Sequence, residues 1–388
     1  MGTAHYIPAI SEKMNYCWEK DVKYKGFDMT WFSENAFFKH DYALQCGFYG
    51  INWGHNWREK MKFPKHHILL GDSGGFQIAT FTAKGKKINI EPIEILRWLE
   101  NNCDIGFGID VPPGTVETIN NYNPGFFEKC HKKSLENYRV FEKHRQNFRM
   151  KMYYVIHGYN YEQLDRWYNS IKDFNFEGFG MGSALSANPF HQALGGLYLY
   201  FNGELKKKGL HYFGTSGMAV MAVLSYLAHK TKSKITYDSS SYSIGDKMRV
   251  YQMPMFMGEK LLFGDVHAKY NPEFTDELPC DCPVCKHIDI KDLLGTDTRA
   301  GTLLSLHNLY QYLELNRRYN ILAKNRSRLE QFAFMIMQSQ SRINEVKKTF
   351  DFIDYSLEEG LEKAMRKFGV SDKKQIKQKQ ISLFGRWS

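Results

Sequence analysis

The chain has 388 residues, 43% of them hydrophobic and 15% aromatic, enough for a large buried core and inconsistent with a disordered or fibrous polypeptide. Its formal charge of +10 favours a polyanionic partner, because each phosphate met by Lys or Arg releases a condensed counterion. No run of eighteen apolar residues occurs, and the opening MGTAHYIPAISEKMNYCWEKD lacks the basic-then-apolar layout of a signal peptide, so a cytoplasmic protein is expected.

In chain order, six short apolar runs end in Gly, Asp or Ser: HHILLGDSGG around Asp72, CDIGFGID ending at Asp110, MYYVIHG ending at Gly158, GFGMGS ending at Ser183, HYFGTSG ending at Gly217 and KITYDSS ending at Ser240. Between them EPIEILRWLENN, KKSLENYRVFEKHRQNF, NYEQLDRWYNSIKDF and MAVMAVLSYLAHKT repeat apolar residues three or four positions apart, the helical period. Alternation of this kind implies parallel strands joined by helical crossovers, in either an open doubly wound sheet or a (β/α)8 TIM barrel. The open sheet calls for an early glycine-rich nucleotide turn, which is absent, whereas polar residues at many successive strand ends suit the barrel. The barrel is the expected fold.

Seven cysteines are present, and Cys17, Cys46, Cys103 and Cys130 stand alone, as reduced and mostly buried thiols would. The other three, Cys280, Cys282 and Cys285, form C-x-C-x-x-C. Thiolates this close suit a tetrahedral zinc ion better than disulfide geometry. His287 is the nearest candidate for a fourth ligand, but His307, opening an amphipathic helix, has the loop-to-helix spacing of structural zinc and is preferred. Four protein ligands leave no open position, so such a metal holds a fold together and does not activate water.

DSGGFQ at 72–77, the strand-ending Asp238, the C-x-C-x-x-C cluster and the HNL that follows it resemble the guanine transglycosylase superfamily, whose best-known members act on tRNA. The matching motifs run from about Leu69 to Leu309. The resemblance implies a (β/α)8 barrel with a zinc subdomain inserted near the C-terminal end, and exchange of guanine in a polynucleotide for a 7-deazaguanine. It implies main barrel at residues 1–270, zinc subdomain at 271–318, completing helices at 319–368 and a basic tail at 369–388. It also implies that Asp238 is the nucleophile towards the sugar C1′, that Asp72 is the general acid/base, and that Asp110 reads the amidine-like edge of the purine. Ser73, His157, Gly158, Gly182 and Ser183 are the remaining expected substrate contacts. The chemistry is coherent with paired carboxylates in glycoside cleavage, one as nucleophile and one as acid or base. Taken singly, each aspartate could equally cap a helix; three at matching strand ends favour function.

Several departures bear on the substrate. His157–Gly158 stands where the tRNA enzymes usually carry Gln-Gly, and Gly182–Ser183–Ala184 where they carry Gly-Gly-Leu. After Asp238 the sequence SSSYSIGDKMR has no arginine until Arg249, in place of the arginine-bearing segment that helps the tRNA enzymes read flanking uridines. At the C-terminus, Gln380, Ile381, Ser382, Leu383 and Phe384 resemble the peptide with which bacterial DNA-processing enzymes dock on the sliding clamp; a frayed, solvated tail is the alternative. Charge, lost segment and tail together favour the family's DNA-modifying (DpdA-type) branch, found in bacteria and their viruses. DNA is then the expected partner, with 7-cyano-7-deazaguanine a candidate base and an ATPase or helicase to open the duplex, since no phosphate-binding loop of G-x-x-x-x-G-K-[ST] form is present. A tRNA enzyme with a divergent site, or a non-catalytic binding subunit of the same fold, remain the alternatives. Tyr237 and Tyr242 flank the nucleophile as base supports or as packing, and the basic runs at 82–90 and 315–332 either track phosphates or form solvated faces.

Overall fold

The computed structural model describes residues 2–85, 89–113, 124–158, 160–182, 188–243, 250–252, 260–262, 278, 280–295 and 297–370. Eight parallel strands make up the central sheet: β1 (Thr3–Pro8), β2 (Tyr42–Cys46), β3 (Ile68–Asp72), β4 (Ile105–Phe107), β5 (Lys151–Ile156), β6 (Gly178–Met181), β7 (Gly209–Tyr212) and β8 (Lys234–Ser239). They run in the order β1-β8-β7-β6-β5-β4-β3-β2. Between β1 and β2 the only ladder contact among the described residues is the bridge of Ala9 to Leu44, where the Ile10 N–H donates to the Leu44 carbonyl at 2.8 Å. The result is a nearly closed (β/α)8 TIM barrel, as the polar residues at successive strand ends predict.

Side chains alternate faces along a strand, and in a barrel one face points inward. Ile7, Leu44, Leu70, Phe107, Tyr153 and Val155 form the inner cluster. The opposite parity, including Ala4, Tyr6, Leu69, Met152, Tyr154, Ile156, Leu210 and Ile235, packs against the helical layer. Strand β6 is the exception in bulk, since Gly178 and Gly180, like Gly182 just after it, present no side chain. A Cβ on Gly178 would lie 2.3 Å from the Tyr153 ring and one on Gly180 would lie 2.7 Å from Phe213, so the neighbours' rings fill the space.

Besides the short helices Trp57–Lys60 and Ile290–Leu294, the helices among the described residues are α1 (Glu12–Glu19), α2 (Gly47–Trp53), α3 (Gly75–Ala83), α4 (Pro92–Asn102), α5 (Pro124–His144), α6 (Tyr161–Ile171), α7 (Pro189–Phe201), α8 (Met218–Thr231), α9 (Thr298–Leu322), α10 (Arg326–Met337), α11 (Gln340–Glu359) and α12 (Leu361–Lys367). Their starts follow local chemistry: Asn160 caps α6 by accepting from the Gln163 N–H, and Asn188 caps α7 ahead of Pro189. Asp297 caps α9, a 25-residue helix that lies along β1.

That contact stitches the barrel's seam. Facing no neighbouring strand, the backbone groups of Ala4 and Tyr6 bond to asparagines of α9. Asn316 accepts from the Tyr6 N–H at 3.1 Å and donates to the Ala4 carbonyl at 2.9 Å; Asn320 accepts from the Ala4 N–H at 2.9 Å and donates to the same carbonyl. The exposed edge of a strand is thereby satisfied by side chains. No helix among the described residues is long and apolar enough to cross a membrane.

Candidate active site

The C-terminal ends of β3 to β8 carry the polar residues, and strand parity decides which of them face the barrel mouth. Asp72 closes β3 two residues after inward Leu70, and Asp238 lies two after Thr236 on β8. Asp110 follows β4 and His157 follows β5. The turn after Asp72 needs its glycines: Gly74 has φ +83°, and a Cβ on Gly75 would sit 2.2 Å from the Asp110 carbonyl oxygen. The Gly74 N–H donates to the Asp72 carboxylate at 3.2 Å.

Electrostatics sets Asp72 apart. Burial, then the charge of Asp110, then that of Asp238, push its carboxyl up to about 7, and the Gly74 N–H only partly opposes this. A carboxylic acid that keeps its proton near neutrality can exchange protons with a substrate. Asp110 and Asp238 are both buried, with 8% of their surface exposed.

Each of these two aspartates pairs with a buried histidine. His157 Nε2 lies 2.7 Å from an Asp110 oxygen, and its ring packs on Trp167 at 4.8 Å. Gly182 makes room for that ring, since a Cβ there would fall 1.9 Å from it. His211 Nε2 lies 3.2 Å from Asp238 Oδ1, which also accepts from the Gly214 N–H at 3.0 Å. Gly158 packs its backbone on Leu164 and Asn160 at the start of α6. Ser73 is fully buried, and its hydroxyl donates to the Gly108 carbonyl at 3.4 Å. Ser183, Arg249 and Gln380 to Phe384 lie outside the described residues.

Beside the barrel, the hairpin β9 (Val250–Gln252) and β10 (Lys260–Leu262) runs alongside α9. Here Cys280, Cys282, Cys285 and His307 bring their ligand atoms within 4.8 Å of one another. His307 Nδ1 lies 3.1 Å from the Cys285 sulfur and 3.4 Å from that of Cys282. Bonds of about 2.3 Å to sulfur and 2.0 Å to nitrogen would give tetrahedral edges of about 3.5 Å. His307 Nε2 donates to the Gln252 carbonyl at 2.7 Å, which leaves Nδ1 as the free acceptor turned to the thiols, and Tyr251 stacks on the ring at 3.8 Å. The donor set fits a metal ion. His287 takes no part and packs against Phe27 and Phe37.

No family model matches the chain. Three archaeal tRNA-guanine(15) transglycosylases are similar to it: that of Saccharolobus solfataricus, 24% identical over 255 residues (64% of this chain, 46% of the relative); that of Sulfolobus acidocaldarius, 22% over 319 residues (80% and 56%); and that of Methanosarcina barkeri, 27% over 162 residues (40% and 29%). The similarity supports the guanine transglycosylase superfamily. The chain spans about half the length, or less, of these relatives.

Against that background, His211 is the site residue that motif reading misses. It stands inside the HYFGTSG run, where attention falls on the glycines. Register with Thr236 on β8 puts it on the inward face beside Asp238, so strand parity was the available signal. Tyr237 and Tyr242 are packing residues: both are fully buried, the first accepting from Asn316 at 2.8 Å, the second donating to the Ala9 carbonyl. The basic run at 315–332 is partly consumed internally, with Arg317 paired to Glu314 and Arg326 to Glu330, Asp351 and Asp354.

Proposed function

We propose that the chain is a DNA guanine transglycosylase, a glycosyltransferase that exchanges guanine in DNA for a 7-deazaguanine such as 7-cyano-7-deazaguanine. The observation that carries this reading is the convergence of Asp72, Asp110 and Asp238 on one barrel mouth, with the Asp72 carboxyl pushed up to about 7 by burial and by the other two charges. Asp238 attacks C1′ and forms a covalent sugar ester. Asp72 gives its proton to the departing guanine and recovers one from the incoming base. Asp110, held by His157, reads the N–H edge of the purine by a charge-assisted contact. The target nucleotide must leave the stack to reach Asp238, by flipping or in a single strand. A zinc ion held by Cys280, Cys282, Cys285 and His307 has the closed ligand set of a structural metal and stabilises the lobe around α9.

The charge of +10 suits either nucleic acid; DNA is favoured over RNA by the lack of arginine before Arg249 after the nucleophile and by the Gln380–Phe384 peptide, which would tether the enzyme to a sliding clamp. An ATPase or helicase would open the duplex. The tRNA reading has its own support, because the three similar archaeal proteins are named for tRNA-guanine(15). Labelled guanine, offered with duplex DNA, single-stranded DNA or tRNA, decides between them. Label entering DNA and lost in Asp238→Ala is the expected result. Label entering tRNA alone would replace DNA by tRNA, and no label in any polynucleotide would favour a binding subunit. A clamp pull-down abolished by Leu383→Ala with Phe384→Ala is expected of the tail; equal recovery would remove that partner.

A further inference from the structure

The His211 imidazole is fully buried, and each ring nitrogen has one partner: Nδ1 lies 2.9 Å from Thr236 Oγ1 and Nε2 lies 3.2 Å from Asp238 Oδ1. Phe107 and Phe213 pack on its faces at 4.9 and 4.6 Å, so no charged side chain other than Asp238 meets it among the described residues. The Thr236 hydroxyl is nearer to Nδ1 than to its alternative acceptor, the Leu210 carbonyl at 3.3 Å. A carboxylate only accepts, so the contact at Nε2 puts the proton of a neutral ring on Nε2, pointing at Asp238, and leaves Nδ1 to accept from the Thr236 hydroxyl. With the Gly214 N–H at 3.0 Å, two donors then converge on Oδ1, and the Thr215 N–H fixes the Asp238 backbone carbonyl at 2.7 Å. Oδ2 carries no protein hydrogen bond among the described residues.

We propose that His211 is a positioning residue: relayed through Thr236, it clamps Oδ1 of Asp238 so that Oδ2 is the oxygen presented to the sugar. The inference rests on Asp238 being the nucleophile. In the step it serves, an Oδ2 lone pair forms the Oδ2–C1′ bond while the C1′–N9 bond breaks, its electron pair leaving on guanine, which takes the Asp72 proton. His211 keeps its own proton throughout. A misdirected carboxylate of this kind costs on the order of 100-fold in rate.

Two measurements test the clamp. In the full chain with 15N-labelled histidine, the His211 signals, assigned by their loss in His211→Gln, should show Nε2 protonated and Nδ1 bare. Thr236→Val should shift the Nδ1 resonance and Asp238→Asn should shift the Nε2 resonance. A proton found on Nδ1, or signals indifferent to both changes, would overturn the proposal. This readout needs no activity, so it stands even if the transglycosylase reading fails. In exchange assays, His211→Leu should lower kcat about 100-fold with KM for the polynucleotide within about twofold, whereas His211→Gln, whose amide can still donate to Oδ1, should regain most of kcat. Equal losses in both variants would reduce His211 to packing. Wild-type protein inert on DNA and tRNA alike would instead count against the transglycosylase reading, leaving the labelled histidine to decide the clamp.

Discussion

Asp110 and His157 share a 2.7 Å hydrogen bond between the ends of neighbouring strands β4 and β5. The bond commits His157 Nε2 to the carboxylate, and Gly182, just past the end of β6, gives the ring its space. Gly182→Ala would force a Cβ to within 1.9 Å of the imidazole, a clash with a ring already held by Trp167. Displacing His157 leaves Asp110 free to turn away from the base. The expected result is a KM for free guanine raised about tenfold or more, with a cost in stability of about 1–3 kcal/mol. An unchanged KM measured by exchange at varied guanine would mean that the pair does not hold the base.

Asp72 should dominate the pH dependence. Its carboxyl is raised by burial and neighbouring charge to about 7, so it is protonated below that pH and ionised above it. Guanine release needs the acid, and the rate of that half-reaction should therefore fall as pH rises through about 7. Linkage gives the matching sign for stability. A group with a raised folded pKa contributes fully below its unfolded value and loses that contribution as pH rises through the folded one. Asp72→Asn should consequently be inactive in release yet more stable than wild type at pH 8, by about 1–2 kcal/mol after allowance for solvent at the mouth, and no more stable at pH 4. A wild-type release rate that is flat from pH 5 to 9 would count against the role.

Short apolar runs with a terminal Gly, Asp or Ser mark β3 to β8 in the sequence. Strands β1 and β2 carry no such mark. Thr3 and His5 on β1 and Gln45 on β2 dilute the apolar signal. These same two strands pair through only the Ala9–Leu44 bridge, and β1 is completed by asparagines more than 300 residues away, a relation that no local window contains. The site divides along the same line. The places of Asp72, Asp110 and Asp238 were legible because each lies at the end of an apolar run, as was the cluster of Cys280, Cys282, Cys285 and His307 from its spacing. The histidine partnerships depend on register between strands, and Ser73's hydroxyl is spent on a neighbouring strand's carbonyl, which a motif cannot convey.

The cysteine–histidine cluster should bind one metal ion per chain, with zinc the expected element by elemental analysis. His307 belongs to α9, which also lies along β1, so loss of the ion should be felt beyond the hairpin. A strong chelator at raised temperature should lower Tm, and added zinc should restore it. Cys285→Ser should reproduce the loss without chelator. Full Tm in protein shown to contain no metal would mean that the cluster is held by thiol contacts alone.

The seam gives the sharpest test of how the barrel closes. Asn316 contributes three contacts at once: it accepts from the Tyr6 N–H, donates to the Ala4 carbonyl and donates to the Tyr237 hydroxyl. Asn316→Leu keeps the number and branching of the side-chain heavy atoms and removes all three, leaving a buried backbone N–H without an acceptor. The cost of such an orphaned group is about 1–3 kcal/mol, and two partners are affected together. Unfolding by urea should show a loss of about 2–4 kcal/mol with an unchanged slope. Asn320→Leu should cost less, because it orphans only the part-buried Ala4 N–H and leaves the Tyr6 N–H and the Tyr237 hydroxyl with Asn316. If both substitutions are neutral, β1 and β2 must pair more fully in solution than the single bridge implies, and hydrogen exchange at the Ala4 and Tyr6 amides would then be slow in both variants.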